Sequence, residues 1–205
     1  MPTPEQILNG LSIAASQFMF LTIVWHIIVF LFLILLLMGK RPANKIVALG
    51  SIALLLSVAF VSAMISNPFN TVMFLLASIL FIYITWKMPA EKLVLKWDVA
   101  SISGMIMIAF GWFYPHFLEE GSWLRYLYAS PLGLIPCPTL SLIIGFTLLF
   151  HGFFHKKWIL SLALTGLFYG IFGVLRLKVY LDVVLIAGAL ILLFFALTRK
   201  EKRIE

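Results

Sequence analysis

Long apolar stretches alternate with short polar ones along almost the whole chain. A helix needs about 20 predominantly apolar residues to cross the hydrocarbon core of a bilayer, and seven stretches come close to that length. They cover residues 18–38, 45–66, 70–86, 99–117, 134–154, 158–175 and 179–197. The pattern predicts an all-α fold, a polytopic transmembrane bundle of about seven helices that forms a single domain over residues 1–205.

A further helix start precedes the first apolar stretch. Thr3 can cap a helix that has Pro4 at its first position, and Gln6 stands where a capping box needs it. One helix from here to the end of the first stretch would be about 52 Å long, more than a single crossing requires. We therefore expect either an interfacial helix over 4–16 that breaks near Gly10, or a first helix that projects from the membrane.

Composition supports a membrane location. The chain is 63% hydrophobic and 11% charged, with a mean hydropathy of +1.10, whereas a soluble domain is nearer half apolar and a quarter charged. A net charge of +7 would suit a nucleic-acid partner, but the basic residues separate the apolar stretches, where they set topology. We expect the lipid bilayer as a partner and no nucleic acid.

The basic residues also predict an orientation, because cytoplasmic loops are rich in Lys and Arg. On one side of the predicted bundle lie only Arg125, Arg176 and Lys178. The opposite side holds Lys40, Arg41, Lys45, Lys87, Lys92, Lys96, Lys156, Lys157, Arg199, Lys200, Lys202 and Arg203. The N-terminus is therefore predicted outside and the C-terminus inside, in the cell (inner, cytoplasmic) membrane.

The longest connection lies on the predicted outer side, and we expect an amphipathic helix within residues 118–138. Pro136 and Pro138 bracket the only cysteine of the chain. Because proline disrupts a helix interior, we expect the fifth helix to begin at Pro138 with Cys137 as its N-cap. Residues 132–135 would then enter the membrane as non-helical backbone, which requires cover by protein or a watery cavity.

Cys137 has two interpretations. At a helix N-terminus the thiolate is favoured, which would suit a metal ligand or a reactive thiol. Alternatively, it is a small buried hydrophobe between two loop-shaping prolines. No intramolecular disulfide is possible with a single cysteine.

A histidine and two acidic residues stand at the outer end of the fourth helix. If that helix continues, His116 shares a face with Trp112 and Glu119, and Glu120 follows. The group could be a proton or cation site, or it could merely cap the helix end.

The sixth helix carries Thr165, Tyr169 and Arg176 on one face, and Asp182 follows across a tight turn. A salt bridge between Arg176 and Asp182 is the simpler expectation. The functional alternative is an anion at Arg176 or a cation at Asp182.

Two glycines beside this face, Gly166 and Gly170, are spaced as in close helix packing. They could pack within the bundle or support a homo-oligomer.

Three further histidines are candidates for chemistry. His26 lies within the first span, where an ionisable residue suggests function, although one hydrogen bond to a neighbouring helix would also explain it. His151 and His155 are four residues apart at the cytoplasmic end of the fifth helix. They could ligate a metal or haem, as could Cys137 and His116, or they could simply lie among lipid headgroups.

Several motifs together resemble a family of small bacterial integral membrane proteins catalogued as a domain of unknown function. They lie at 111–119, 126–141, 168–177 and 181–182 and include Tyr-Pro-His and Pro-Cys-Pro-Thr. The resemblance implies a seven-helix membrane domain and supplies no activity.

Three functions are compatible with these patterns. The first is a transporter or channel-like protein that handles a small solute or ion through an outward-facing cavity, with His116, Glu119, Cys137, Arg176 and Asp182 near its mouth. The second is a membrane-embedded metal- or haem-binding redox protein or enzyme, although CxxC, HExxH and nucleophile-elbow motifs are missing. The third is an accessory structural subunit. We favour the first and expect neither enzymatic activity nor a cofactor.

Overall fold

The computed structural model describes residues 3–117, 123–150 and 155–198, and these ranges contain helices and no β-strand. The helices are α1 (Pro4–Gln17), α2 (Met19–Leu37), α3 (Asn44–Met64), α4 (Pro68–Lys87), α5 (Val99–Phe113), α6 (Tyr126–Ala129), α7 (Pro136–Leu149), α8 (Lys156–Arg176) and α9 (Val183–Thr198). Short 3-10 turns cover Trp123–Arg125 and Tyr180–Asp182. The all-α prediction is confirmed.

Five helices are long and apolar enough to cross a membrane: α2, α3, α4, α8, and α9 together with the turn before it. The helices α5 and α7 are also apolar but have only 15 and 14 residues. They are about 22 Å and about 21 Å long, against about 30 Å of hydrocarbon. The apolar helices indicate a membrane protein and are compatible with several crossings, while the count of seven crossings stays a prediction.

Helix α1 begins as predicted and ends at Gln17, one residue beyond the predicted range of 4–16. The backbone N–H of Gln6 donates to Thr3 Oγ1 at 3.3 Å, and the N–H of Thr3 donates to Gln6 Oε1 at 2.9 Å, so the capping box is formed. The break expected near Gly10 is wrong, because the helix runs through that glycine and stops before Phe18. Phe18 packs against a small apolar cluster that includes Leu11 and Val61, and this packing turns the chain into α2.

Helix α7 lies at the centre of the bundle, and every one of its residues is buried. It packs on α5 through glycines that bring the two backbones together. A Cβ added to Gly104 would lie 2.6 Å from the carbonyl oxygen of Gly145, and one added to Gly145 would lie 2.7 Å from the backbone nitrogen of Ile108. Such small-residue contacts are typical of closely packed membrane helices.

Helix ends alternate between two ends of the bundle. At one end, which we call the cavity end, the α3–α4 turn and the C-termini of α5 and α8 meet the N-termini of α7 and α9 around one cavity. At the opposite end, the α2–α3 and α4–α5 connections are joined by hydrogen bonds from Asn44 to Glu91 and from Leu93 to Pro42. This alternation agrees with the predicted order of helix ends. The orientation of the bundle relative to the cytoplasm stays a prediction.

The connection after α5 differs from the expected amphipathic helix over 118–138. The described part of it holds only the turn Trp123–Arg125 and the single turn α6. Residues 132–135 are non-helical, as predicted, and Leu132, Leu134 and Ile135 are at most 1% exposed because protein covers them.

Helix α7 begins at Pro136 rather than at Pro138, with Ile135 as its N-cap. Both prolines fit, because the first-turn N–H groups of a helix have no partner within it. Cys137 is therefore the second helical residue and not the N-cap. Thr139 secures this start, since its hydroxyl donates to Ile135 O at 2.7 Å and accepts from the N–H of Gly133 at 2.9 Å.

Candidate functional site

A cavity of about 600 Å³ lies at the cavity end. Its apolar walls include Ile7, Leu11, Ile65, Phe69, Phe172 and Leu177. Its main polar residues are Asn67, Asn70, Tyr114, Cys137, Tyr169, Arg176 and Asp182. Four of the predicted site residues are thus brought together from α7, α8 and the turn before α9. This combination of apolar walls with a few convergent polar groups is typical of ligand sites.

Asp182 is the polar centre of the cavity and is only 1% exposed. Its Oδ1 accepts a hydrogen bond from the Tyr114 hydroxyl at 2.7 Å, and its Oδ2 accepts one from the Cys137 thiol at 3.2 Å. A Cβ at Gly173 would collide with Oδ2, so the glycine of α8 makes room for the carboxylate. The end of α5, the start of α7 and the end of α8 therefore meet at one carboxyl group.

The salt bridge expected between Arg176 and Asp182 is wrong. Arg176 lines the cavity but is exposed at its rim, and it makes no hydrogen bond or ion pair with the part of the chain that the structure describes. After α8 the backbone turns sharply at Lys178, whose φ is +57°, and the N–H of Val179 donates to Gly173 O. This turn places Asp182 beneath Gly173, about one helical turn below Arg176.

Tyr169 lines the cavity together with Arg176, as expected for two residues on one face of α8. Its hydroxyl donates to Oδ1 of Asn70 at 3.0 Å, and its ring packs 5.2 Å from that of Phe74. Thr165 does not line the cavity, and its hydroxyl donates to Ser161 O within α8.

Three polar residues of the site are not predicted from the sequence: Asn67, Asn70 and Tyr114. An amide in the first turn of an apolar helix is a polar group that needs a partner, and this signal points to Asn70. Tyr114 carries no signal beyond its place in the Tyr-Pro-His motif, and its contact with Asp182 spans 68 positions.

Cys137 lines the cavity as a thiol, which does not support the interpretation of Cys137 as a thiolate. It is 9% exposed, and it donates to a carboxylate. A thiolate would place a second negative charge 3.2 Å from Asp182, and like charges at this distance in a low-dielectric site repel strongly. The geometry therefore favours the protonated sulfur.

The predicted face of Trp112, His116 and Glu119 does not form. Helix α5 ends at Phe113, so His116 lies in an irregular segment where its N–H bonds to Tyr114 O at 2.8 Å. Its ring lies 4.2 Å from that of Phe117 and does not line the cavity. Glu119 and Glu120 lie outside the described residues.

His26 is buried between α2 and α5. Its Nδ1 lies 2.9 Å from Thr22 O, its Nε2 lies 3.3 Å from Trp112 O, and its ring meets the Trp112 ring edge-on at 4.7 Å. It does not line the cavity. These contacts support the interpretation of His26 as a structural link between helices.

We expect His26→Ala to destabilise the protein by about 1–3 kcal/mol, since a buried carbonyl loses its donor. Thermal unfolding in detergent measures this effect. A variant with wild-type stability would contradict the structural role.

His155 is not on the fifth apolar helix as predicted, because α7 ends at Leu149. It is instead the N-cap of α8, where its Nδ1 accepts from the N–H of Lys157 at 3.1 Å. His151 lies outside the described residues. Among residues 3–117, 123–150 and 155–198, no three His, Cys, Asp or Glu side chains converge as a metal site. Cys137 and Asp182 are two such side chains in contact.

Gly166 and Gly170 of α8 pack against other helices of the same chain. A Cβ on Gly166 would lie 2.8 Å from Ile144 and 3.1 Å from Ala189, and one on Gly170 would lie 2.7 Å from Ile186. The helices α7 and α9 therefore cover the surface that the sequence suggested for a homo-oligomer, and a partner helix cannot reach it.

Comparison with known proteins leaves the site to be interpreted from its own geometry. No protein-family model, no curated protein and no solved structure matches the chain.

Proposed function

We propose that this protein binds a small solute in the cavity, which opens to the outside, and carries it across the membrane. The observation that carries the proposal is the placement of Asp182. A carboxylate is costly inside a membrane and is usually paired or functional. This one accepts two hydrogen bonds, forms no ion pair with any described residue, and lines a cavity large enough for a ligand.

The start of α7 supports the same proposal. Residues 132–135 lead into α7 as non-helical backbone. Helix α7 is about 21 Å long, which is shorter than the roughly 30 Å of hydrocarbon that a full crossing requires. Interrupted helices whose ends point into the membrane often form the binding sites of transporters. The N-terminal dipole of α7 also helps to stabilise a nearby negative charge.

Helix α1 supplies a cover for the cavity. Gln6, Ile7, Gly10 and Leu11 line it. The helix packs on the rest of the bundle through a small separate cluster rather than through the main core. A solute carrier needs an element that can open and close over its site, and α1 is the most suitable one among the described elements.

One contact favours an alternative function, a membrane-embedded thiol enzyme. The hydrogen bond between Cys137 and Asp182 pairs a nucleophile with a base, as covalent catalysis requires. The substitution Cys137→Ala separates the two functions. A solute carrier should keep its ligand affinity within a few-fold, because the weak S–H donor is not required for binding, whereas a thiol enzyme would lose all turnover.

The proposal is tested by screening purified protein against small solutes for thermal stabilisation. A solute at 100 times its dissociation constant should stabilise the folded state by about 2.7 kcal/mol. Any solute that binds is then offered in labelled form to proteoliposomes, where we expect accumulation that exceeds binding and that is absent from protein-free liposomes. Binding without accumulation would contradict transport, and a broad screen without any binding would contradict the site.

A further inference from the structure

The cavity contains two opposite charges that are not bonded to each other. Asp182 lies at its floor and Arg176 at its rim, and neither forms an ion pair with a described residue. Their separation follows from the chain, because Gly173 contacts Asp182 and Arg176 lies three residues further along α8. Three residues correspond to about 4.5 Å along the helix axis. A ligand that bridges both charges would neutralise each of them.

Asp182 is suited to a ligand ammonium group. The carboxylate oxygens each have a second lone pair, and the thiol that occupies Oδ2 is a weak donor. Five aromatic side chains also line the cavity: Phe69, Tyr114, Phe117, Tyr169 and Phe172. Aromatic faces attract organic cations, and more strongly when water is excluded. The floor of the cavity therefore favours a positively charged end of the ligand.

Arg176 is suited to a carboxylate. The guanidinium group offers a planar pair of donors that matches the two oxygens of a carboxylate. Its exposure at the rim leaves these donors available to an incoming molecule. The rim therefore favours a negatively charged end of the same ligand.

Most of the remaining lining is apolar, with Ile7, Leu11, Ile65 and Phe69 among the walls, and the amides of Gln6, Asn67 and Asn70 complete it. A charged side chain would lose its hydration there without finding a countercharge. We infer that the solute is a small zwitterion with an apolar side chain, such as an aromatic or large aliphatic amino acid, whose ammonium group binds Asp182 and whose carboxylate binds Arg176. This inference rests on the function proposed above.

Three probes of nearly the same shape test the inference: L-phenylalanine, phenethylamine, which lacks the carboxylate, and 3-phenylpropanoate, which lacks the ammonium group. Their affinities for the purified full-length protein are measured by competition against labelled L-phenylalanine. We expect phenethylamine and 3-phenylpropanoate each to bind about 10- to 100-fold more weakly than L-phenylalanine, because each loses one hydrogen-bonded charge.

Arg176→Gln identifies the partner of the carboxylate. This variant should lose affinity for L-phenylalanine by about 10-fold or more while binding phenethylamine as the wild type does. Arg125→Gln is the matched control, because Arg125 is also near the cavity end but does not line the cavity. It should leave all three affinities unchanged.

The outcomes separate this inference from the proposed function. Phenethylamine binding as tightly as L-phenylalanine would assign an organic cation, and tighter binding of 3-phenylpropanoate would assign an anion; either result overturns the zwitterion. If none of the three binds while another solute does, the zwitterion is also wrong, but the solute site stands. Failure of every solute in the broad screen overturns the proposed function itself.

Discussion

Asp182→Asn abolishes solute binding and uptake if Asp182 provides the charge at the floor of the cavity. Asparagine has nearly the size of aspartate. It also keeps an oxygen that can accept the hydrogen bond from the Tyr114 hydroxyl, which Asp182 accepts at 2.7 Å in the wild-type protein. Asparagine cannot, however, neutralise a cationic group. The loss of a buried charge pair costs about 3–5 kcal/mol, so we expect affinity to fall by at least 100-fold. Equilibrium dialysis with the labelled solute measures this fall.

A stability measurement on the same variant separates a binding role from a structural one. A buried carboxylate without a countercharge destabilises the folded protein, so Asp182→Asn should unfold at the wild-type temperature or above it. Asp98→Asn is the matched control, because Asp98 caps α5 by accepting from Ser101 N–H at 2.9 Å and does not line the cavity. This control should bind solute normally. Unchanged binding in Asp182→Asn, or a fall in stability alone, would contradict the proposed role.

The second large effect is expected from Gly145→Ala. The added Cβ would lie 2.7 Å from both Ile108 Cγ1 and the Ile108 backbone nitrogen, and 2.8 Å from Gly104 O. Two of these atoms belong to backbone that cannot move without displacing α5. Overpacking of this kind costs about 1–3 kcal/mol and sometimes more, and we expect the upper end of that range.

Gly50→Ala is the control for this substitution. Gly50 is exposed on α3, and a Cβ there has no neighbour within 4 Å. Alanine should therefore leave stability unchanged or raise it by up to about 1 kcal/mol, because glycine is unfavourable inside a helix. Unfolding of each variant in detergent by denaturant titration gives the comparison. Equal stabilities of the two variants would mean that α5 and α7 are not in backbone contact.

The helices and their order could be predicted from the sequence because those features are local. Apolar stretches of membrane-spanning length identified all seven apolar helices. The capping box at Thr3 depends on neighbouring residues and is present. The alternation of helix ends places Cys137, Arg176 and Asp182 at one end of the bundle, where the structure has them.

The pairings at the site could not be predicted in the same way. Tyr114 bonds to a residue 68 positions away, and Tyr169 bonds to one 99 positions away. Such contacts depend on the rotation and depth of whole helices, which an evenly apolar pattern does not specify. Helix ends were misplaced for a related reason. Trp112 and His116 are spaced for one helical face, but α5 stops between them.

The most direct test of an outward-facing cavity uses Cys137, the only thiol of the natural chain. An anionic, membrane-impermeant thiosulfonate is added to right-side-out or inside-out vesicles, and mass spectrometry measures modification of the cysteine. Two variants in a Cys137→Ala background control for sidedness: Lys178→Cys at the cavity end and Lys40→Cys at the opposite end. Both positions are exposed.

We expect Cys137 to be modified from the outside, more slowly than Lys178→Cys because the thiol is only 9% exposed, and to be protected by bound solute. Modification of Cys137 from the cytoplasmic side alone, together with Lys40→Cys, would contradict an outward-facing cavity.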